Sequence, residues 1–371
     1  MDFDFSDDQE QLRDAVRKWV DRSYGFERRR EAVRAGGFDR ATWDELAGLG
    51  LAGLYIPEEH GGMGMGPVEA MVVMEELGRG MVLEPLAQAL VAGGVLAGYA
   101  TDAVKSAWLP KVGSGEALVV LAHQERKARY RLDVCDTRAV QQGGQWRVTG
   151  AKSLVPAGDQ ADAYLVPAVA GGRMALFLVE RSAAGVSANG YVTVDGSRAA
   201  EVRFDQSAAT LVTDDGLAAL EHAADIGIAA ACAEGVGAID QTMVLTADYM
   251  NTRKQFGVPI ASFQALRHRM ADMKMQQELA RSMSYYASLK LNAPAAERRR
   301  ALARAKYQLN VSMRFIGQNS VQLHGGIGVT DEYVGSHYFK KLTQLEMTWG
   351  DTLHQLGEVS ARMQDTAGVF G

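Results

Sequence analysis

Gln322 to Thr352 reads QLHGGIGVTDEYVGSHYFKKLTQLEMTWGDT, and the order of its parts decides how the rest of the chain is understood. It opens on the end of a helix that runs into Gly325, Gly326 and, one residue on, Gly328. Glycines there allow positive φ and let a ligand lie directly against main-chain amides. The pattern predicts a second helix from about Tyr333 with Lys340 and Lys341 inside it, then a break at Trp349-Gly350-Asp351-Thr352. Asp351 suits the cap of a helix that follows the break. The run from His324 to Gly328 is not a dinucleotide fingerprint, because it follows a helix rather than a strand and no βαβ unit surrounds it.

Working outward, Ser6 and Gln9 form a capping-box pattern ahead of apolar positions Leu12, Val16, Trp19 and Val20 at helical spacing. Further helices are expected from near Thr42 to Gly50, from Pro67 to Arg79 and from about Pro85 to Ala100. The period changes to two at about Ala117. Trp146 and Val148 alternate with Arg147 and Thr149 behind a Gly143-Gly144 hairpin turn, and strand-like runs at Tyr164–Val169 and Met174–Glu180 flank Gly171-Gly172. Glu201 to Asp205 alternates again. Helical spacing returns in the Ala- and Gly-rich stretch from Leu217 to Met250. Ser262 is expected to cap a helix with the stripe Phe263, Leu266, Met270 and Met273; others should run from about Pro294 to Leu323 and from Thr352 to about Thr366. This is an α+β chain, mainly α: a helical domain at 1–115, a barrel-like antiparallel β-domain at 116–212 and a helical bundle at 213–371.

Composition narrows the function. A chain of 371 residues, 47% apolar and 23% charged, reads as globular and has room for about two or three domains. A net charge of -6, with Arg298 to Arg300 as a tight basic run, argues against nucleic acid as a partner. Cys135 and Cys232 lie far apart and the seven histidines show no ligand spacing, so neither a disulfide framework nor a metal site is expected. The start is acidic and polar, so no targeting segment is expected, and the small-apolar run Ile226–Ile239 contains Glu234 and reads as too short for a membrane span. A cytoplasmic protein is the expectation.

The order Q-x-x-G-G-x-G, E-Y, basic helix, x-G-x-T resembles the carboxy-terminal signature of the acyl-CoA dehydrogenase family. Ile56 to Gly62 matches the family's I-P-E-E-x-G-G loop, Arg253-Lys254-Gln255-Phe256-Gly257 matches R-x-x-F-G, and the resemblance covers the entire chain. On spacing alone, Arg253 to Gly257 reads as a basic helix end with a glycine cap. The resemblance implies more: an acyl-CoA dehydrogenase fold ending in a four-helix bundle, FAD as cofactor, an acyl-CoA substrate and an electron-transfer flavoprotein as acceptor. It also implies that Arg253, Gln255, Phe256, Gln264, Gln322, Gly325 and Gly326 contact the FAD of a neighbouring subunit. An arginine suits the pyrophosphate because its planar fork bonds two oxygens at once.

Other family positions are altered. The residue before the turn glycine, commonly the catalytic glutamate, is Trp349; the alternative site on the long helix is Gly227. The nearest carboxylates are Asp351 and Asp225. The flavin-side pattern T-E-P-x-A-G-S-D reads Gln124 to Arg131, keeping only Glu125 and Ala128, with Tyr130 for Ser and Arg131 for Asp. G-x-K-x-W-I-T reads Gly150 to Pro156, with Leu154 for the aromatic ring and Pro156 for the hydroxyl. No catalytic residue is assigned. Within the family the opening MDFDFS, Arg129-Tyr130, RKQFGVPIASFQ and TWGDT are most similar to small subunits of pimeloyl-CoA dehydrogenase-type heteromers. The resemblance thus implies a homologous large subunit as partner. Two alternatives are a self-sufficient homo-oligomer using Asp351 and a flavin-free scaffold that binds CoA esters.

Overall fold

In the amino-terminal part, the Ser6 hydroxyl accepts from the Gln9 amide while the Gln9 side chain accepts from the Ser6 amide, so the capping box forms and starts α1, Asp7–Ser23. The structure, a computed structural model, describes residues 5–363. After α1 come α2 (Phe26–Arg34), α3 (Arg40–Gly48), α4 (Pro67–Gly80), α5 (Leu86–Tyr99) and α6 (Asp102–Gly113). Then follow strands β1 (Val119–Leu121), β2 (Arg138–Gln142), β3 (Gln145–Pro156), β4 (Ala163–Ala170), β5 (Arg173–Glu180), β6 (Val186–Val192) and β7 (Arg198–Thr213). The chain returns to helix in α7 (Gly216–Thr252), makes a short hairpin of β8 (Lys254–Gln255) and β9 (Val258–Pro259), and ends in α8 (Gln264–Lys290), α9 (Ala295–His324), α10 (Val334–Met347) and α11 (Thr352–Ala361). The order helices, β-domain, helices is that of the expected fold.

Contacts divide the chain into two units. One holds Arg30–Gly66 and Leu83–Gly227. Its sheet runs β1-β4-β2-β3-β7-β5, and β5 pairs back onto β4, so five strands close a ring. The β2–β3 and β4–β5 turns are Gly143-Gly144 and Gly171-Gly172, all four with positive φ, as a two-residue type I′ hairpin requires. Two pairings correct the antiparallel expectation: β1 lies parallel to β4, and β2 meets β4 in parallel at Arg138 and Val169. Period-two patterning gives a strand its faces but not its partner's direction.

The other unit holds the described residues up to Arg29, Pro67–Val82 and those from Ile228 onward. Here α4 crosses the second part of α7 at backbone contact. A Cβ on Gly237 would lie 1.8 Å from the Glu75 carbonyl oxygen, and one on Gly78 2.0 Å from that of Glu234. The small residues of α7 therefore serve close helix packing. Leu302, Leu309, Met313 and Ile316 of α9 and Met273 of α8 lie wholly inside the bundle.

Four local readings change. Ser262 does not cap α8; it lies in a single 3₁₀ turn and its hydroxyl donates to the Pro259 carbonyl at 2.7 Å, leaving Phe263 at the cap position. The helix expected from near Thr42 to Gly50 runs instead over Arg40–Gly48, capped by Asp39. Two helices the periodicity hid are present: α2 is charge-rich, and α6 contains Pro110, which reads as a breaker. The opening Met1 to Asp4 and the expected continuation of the last helix to Thr366 lie outside the described residues.

Candidate functional site

α7 ends where Arg253 donates its amide to the Tyr249 carbonyl at 2.8 Å, and Ile260 donates to the Arg253 carbonyl at 2.8 Å to close the base of the β8–β9 hairpin. Its two turn residues are Phe256, φ 53, and Gly257, φ 83. A phenylalanine in the left-handed region costs roughly 1–2 kcal/mol. The residue is 91% exposed, and its ring stands edge-on to that of Phe263 with centroids 6.1 Å apart. Burying such a ring stabilises by about 1.5–3 kcal/mol, which this chain leaves unrealised. Arg253, Gln255 and Gln264 are exposed beside it, and the Arg253 guanidinium has no hydrogen bond or ion pair among the described residues.

Gln322 lies exposed on the last turn of α9. Gly325 follows with φ 63 and ψ -139, a combination open only to glycine. Gly326 is different: a Cβ there would meet nothing within 4 Å. Nothing in this chain requires glycine at 326. Tyr249, one helical turn before Arg253, lies against His324, the residue before Gly325, with ring centroids 4.6 Å apart. The hairpin and the glycine turn are thereby brought side by side.

At the break, Trp349 has φ 60 and Gly350 φ 113. Indole offers a donor and no acceptor, so it cannot take a proton. The Asp351 carboxylate accepts from the His354 amide at 2.8 Å and caps α11. Below the break sits a group that sequence reasoning missed. Lys306 of α9 is fully buried, and its ammonium donates to the Asn310 side chain and to the carbonyls of Leu345 at 2.8 Å and Glu346 at 3.2 Å, the last turn of α10. Burial pulls it down to about 8, while the helix end it touches favours its charge. Asn310 in turn donates to the Gly350 carbonyl at 3.1 Å. Lys306 was hidden in a polar-looking stretch of a helix; its spacing of four from Asn310 was the available signal. Gly227 and Asp225 are both buried.

In the β-domain, what persists of the two flavin-side patterns is built into the core. Lys152 is fully buried and donates to the Glu125 carboxylate at 2.7 Å and to the Pro167 carbonyl at 2.9 Å. Glu125 also accepts from the Thr137 hydroxyl at 2.7 Å and the Asp136 amide at 2.6 Å. A Cβ on Gly150 would strike the Thr137 hydroxyl at 2.4 Å, and Ala128 is buried. Two of the altered positions face outward, Leu154 and Arg131, while Tyr130 and Pro156 are half-buried. Leu154 has φ 52 and is 48% exposed, and Arg131 is exposed and paired with Asp133 at 2.6 Å.

Residues 6–116 match the acyl-CoA dehydrogenase N-terminal domain, and residues 214–364 match the acyl-CoA dehydrogenase C-terminal domain. This chain belongs to the acyl-CoA dehydrogenase family. It is 32% identical to the acyl-CoA dehydrogenase FadE12 of Mycobacterium tuberculosis over 352 residues, covering 88% of each. Among solved structures it is similar to a variant of the Tcur3481-Tcur3483 steroid ACAD, with TM-score 0.90 and 28% identity over 97% of this chain and 98% of that one. It is also similar to the ChsE4-ChsE5 complex from Mycobacterium tuberculosis, with TM-score 0.89 and 26% identity over 98% and 99%. The acyl-CoA dehydrogenase loop at Ile56 to Gly62 is a folding device here: Ile56 is fully buried, and a Cβ on Gly62 would lie 2.1 Å from its carbonyl oxygen. One helix among the described residues, Gly216–Thr252, is long and apolar enough to cross a membrane, but 72% of its most apolar window is buried inside the protein.

Proposed function

We propose that this chain is the smaller subunit of a heteromeric acyl-CoA dehydrogenase and has no catalytic base of its own. In this reading Arg253, Gln255, Phe256, Gln264, Gln322, Gly325 and Gly326 complete the FAD site of a homologous larger subunit. The observation that carries it is Phe256, an exposed aromatic residue held in a left-handed turn beside Arg253, whose guanidinium has no partner among the described residues. Such a hairpin tip is unrewarded until a partner covers it. Two similar structures, Tcur3481-Tcur3483 and ChsE4-ChsE5, are named as pairs, which supports a two-component assembly.

Bound FAD would supply the hydride acceptor for α,β-dehydrogenation of an acyl-CoA thioester. This chain's residues hold rather than react. The Arg253 fork would hold the pyrophosphate, Phe256 would exclude water beside the cofactor, and the open backbone at Gly325 and Gly326 would let it approach main-chain amides. The proton acceptor comes from the larger subunit, because Trp349 has no acceptor atom and Asp351 is engaged as a cap. Segments 5–115 and 213–363 are mainly helical, and 116–212 holds the β-domain that a complete enzyme would use for its own flavin. An electron-transfer flavoprotein takes the electrons, and two free cysteines suit a reducing cytoplasm.

The test is acyl-CoA-dependent dye reduction by the chain alone and co-expressed with a larger homologue from the same host. Activity should appear only in the co-expressed preparation. Activity of the chain alone, abolished by Asp351→Asn, would instead make Asp351 the base of a self-sufficient enzyme. Stable association with no flavin in either subunit would leave a scaffold.

A further inference from the structure

The Arg253 hairpin and the Gly325 turn come from different helices, yet a single cofactor would need both in one relative placement. We propose that His324 and Tyr333 clamp these two segments together and are positioning residues for the shared cofactor. The inference rests on the shared-site reading above and adds to it the device that sets the geometry.

His324 is the last residue of α9 and is almost fully buried. Its Nδ1 lies 2.8 Å from the Ser320 carbonyl, an acceptor only, so Nδ1 carries the hydrogen. Burial holds the ring below the usual histidine range, against the backbone carbonyls of Ser320 and Leu245, which pull the other way, so the neutral form is favoured. Nε2 is then an acceptor, and the Tyr333 hydroxyl, 2.7 Å away, donates to it. Tyr333 is the residue at the cap position of α10. The three rings form one cluster: His324 to Tyr249 at 4.6 Å, His324 to Tyr333 at 4.9 Å and Tyr249 to Tyr333 at 6.5 Å.

One turn further down, a second rung joins the same two helices. The Thr246 and Ser320 hydroxyls are 2.9 Å apart, and the Thr246 hydroxyl also lies 2.7 Å from the Thr242 carbonyl. The path from one segment to the other is therefore short and continuous: Arg253 amide to Tyr249 carbonyl, Tyr249 ring to His324 ring, His324 to Gly325 through the chain. A ring hydrogen-bonded at both nitrogens cannot rotate, so it fixes where Tyr249, and with it the hairpin, must sit. Plain apolar packing would not need the Tyr333 hydroxyl.

Tyr333→Phe isolates that hydroxyl, since it keeps the ring and leaves Nε2 buried without a donor. FAD affinity of the co-expressed complex, by equilibrium dialysis, should weaken about 3- to 10-fold, the worth of one hydrogen bond. In the isolated chain, trypsin should cut after Arg253 or Lys254 several-fold faster, with the thermal midpoint little changed. His324→Phe should give the same pattern and serves if Tyr333→Phe misfolds. Unchanged affinity and unchanged cleavage, while Arg253→Ala weakens FAD, would overturn the clamp and leave the shared site standing. If Arg253→Ala also has no effect, the shared-site reading fails, and the cleavage rate alone decides whether the clamp exists.

Discussion

Arg253→Ala is expected to weaken FAD binding by the co-expressed complex by about 10- to 100-fold, the loss of a charge-assisted, two-pronged contact worth roughly 1.5–3 kcal/mol. The size follows from what the side chain does when the subunit is alone, which is nothing: it is exposed and has no partner among the described residues. Removing it therefore leaves no orphaned group behind, and the folded chain should keep its stability. Arg253→Lys should fall between, because an ammonium keeps the charge but loses the planar fork. Equilibrium dialysis of FAD against wild-type and variant complexes reads the effect. Retention equal to wild type in Arg253→Ala would remove this residue from the site.

The largest effect on stability is expected from Lys152→Ala, a loss of about 3–5 kcal/mol, because it strands a buried carboxylate. Glu125 is nearly inaccessible and takes hydrogen bonds from Lys152, Thr137 and the Asp136 amide. Burial alone would push this carboxyl up, but the Lys152 charge and hydrogen bond, aided by Thr137, outweigh it and hold it at about 2. Because that lies below its ordinary 4.5, the stabilisation is present above that value and is lost as the pH falls toward 2. Chemical denaturation at neutral pH measures the loss. Glu125→Gln combined with Lys152→Met should recover much of it, since the amide still accepts from Thr137 while no charge is left unpaired. A cost for Lys152→Ala below about 1 kcal/mol, the range of a surface pair, would contradict the assignment.

These two residues show what was legible in the sequence and what was not. Arg253 and Lys152 both sit in recognisable family frames, and residue type alone gives them similar weight. Three dimensions separate them, one on an open hairpin and the other inside a sheet core. α1 was readable because Leu12, Val16, Trp19 and Val20 recur at helical spacing, and Val16 and Val20 are buried. α2 and α6 were not, since a short charge-rich face and an internal proline mask the period. Parallel β1–β4 pairing was equally hidden, because alternation carries no direction. At the site, glycines 325 and 326 were legible as flexible backbone. The His324–Tyr333 bond was not, since nothing in a spacing of nine residues says that one turn folds back over the other.

The most direct test of the division of labour between subunits is the flavin content of this chain purified alone, set beside that of the co-expressed pair. With its flavin-side positions replaced by Leu154, Pro156, Tyr130 and Arg131 and no proton acceptor at Trp349, the chain alone should carry only trace FAD, and the pair should be near-stoichiometric. A yellow preparation of the single chain, loaded with FAD and bleached by acyl-CoA, would contradict it.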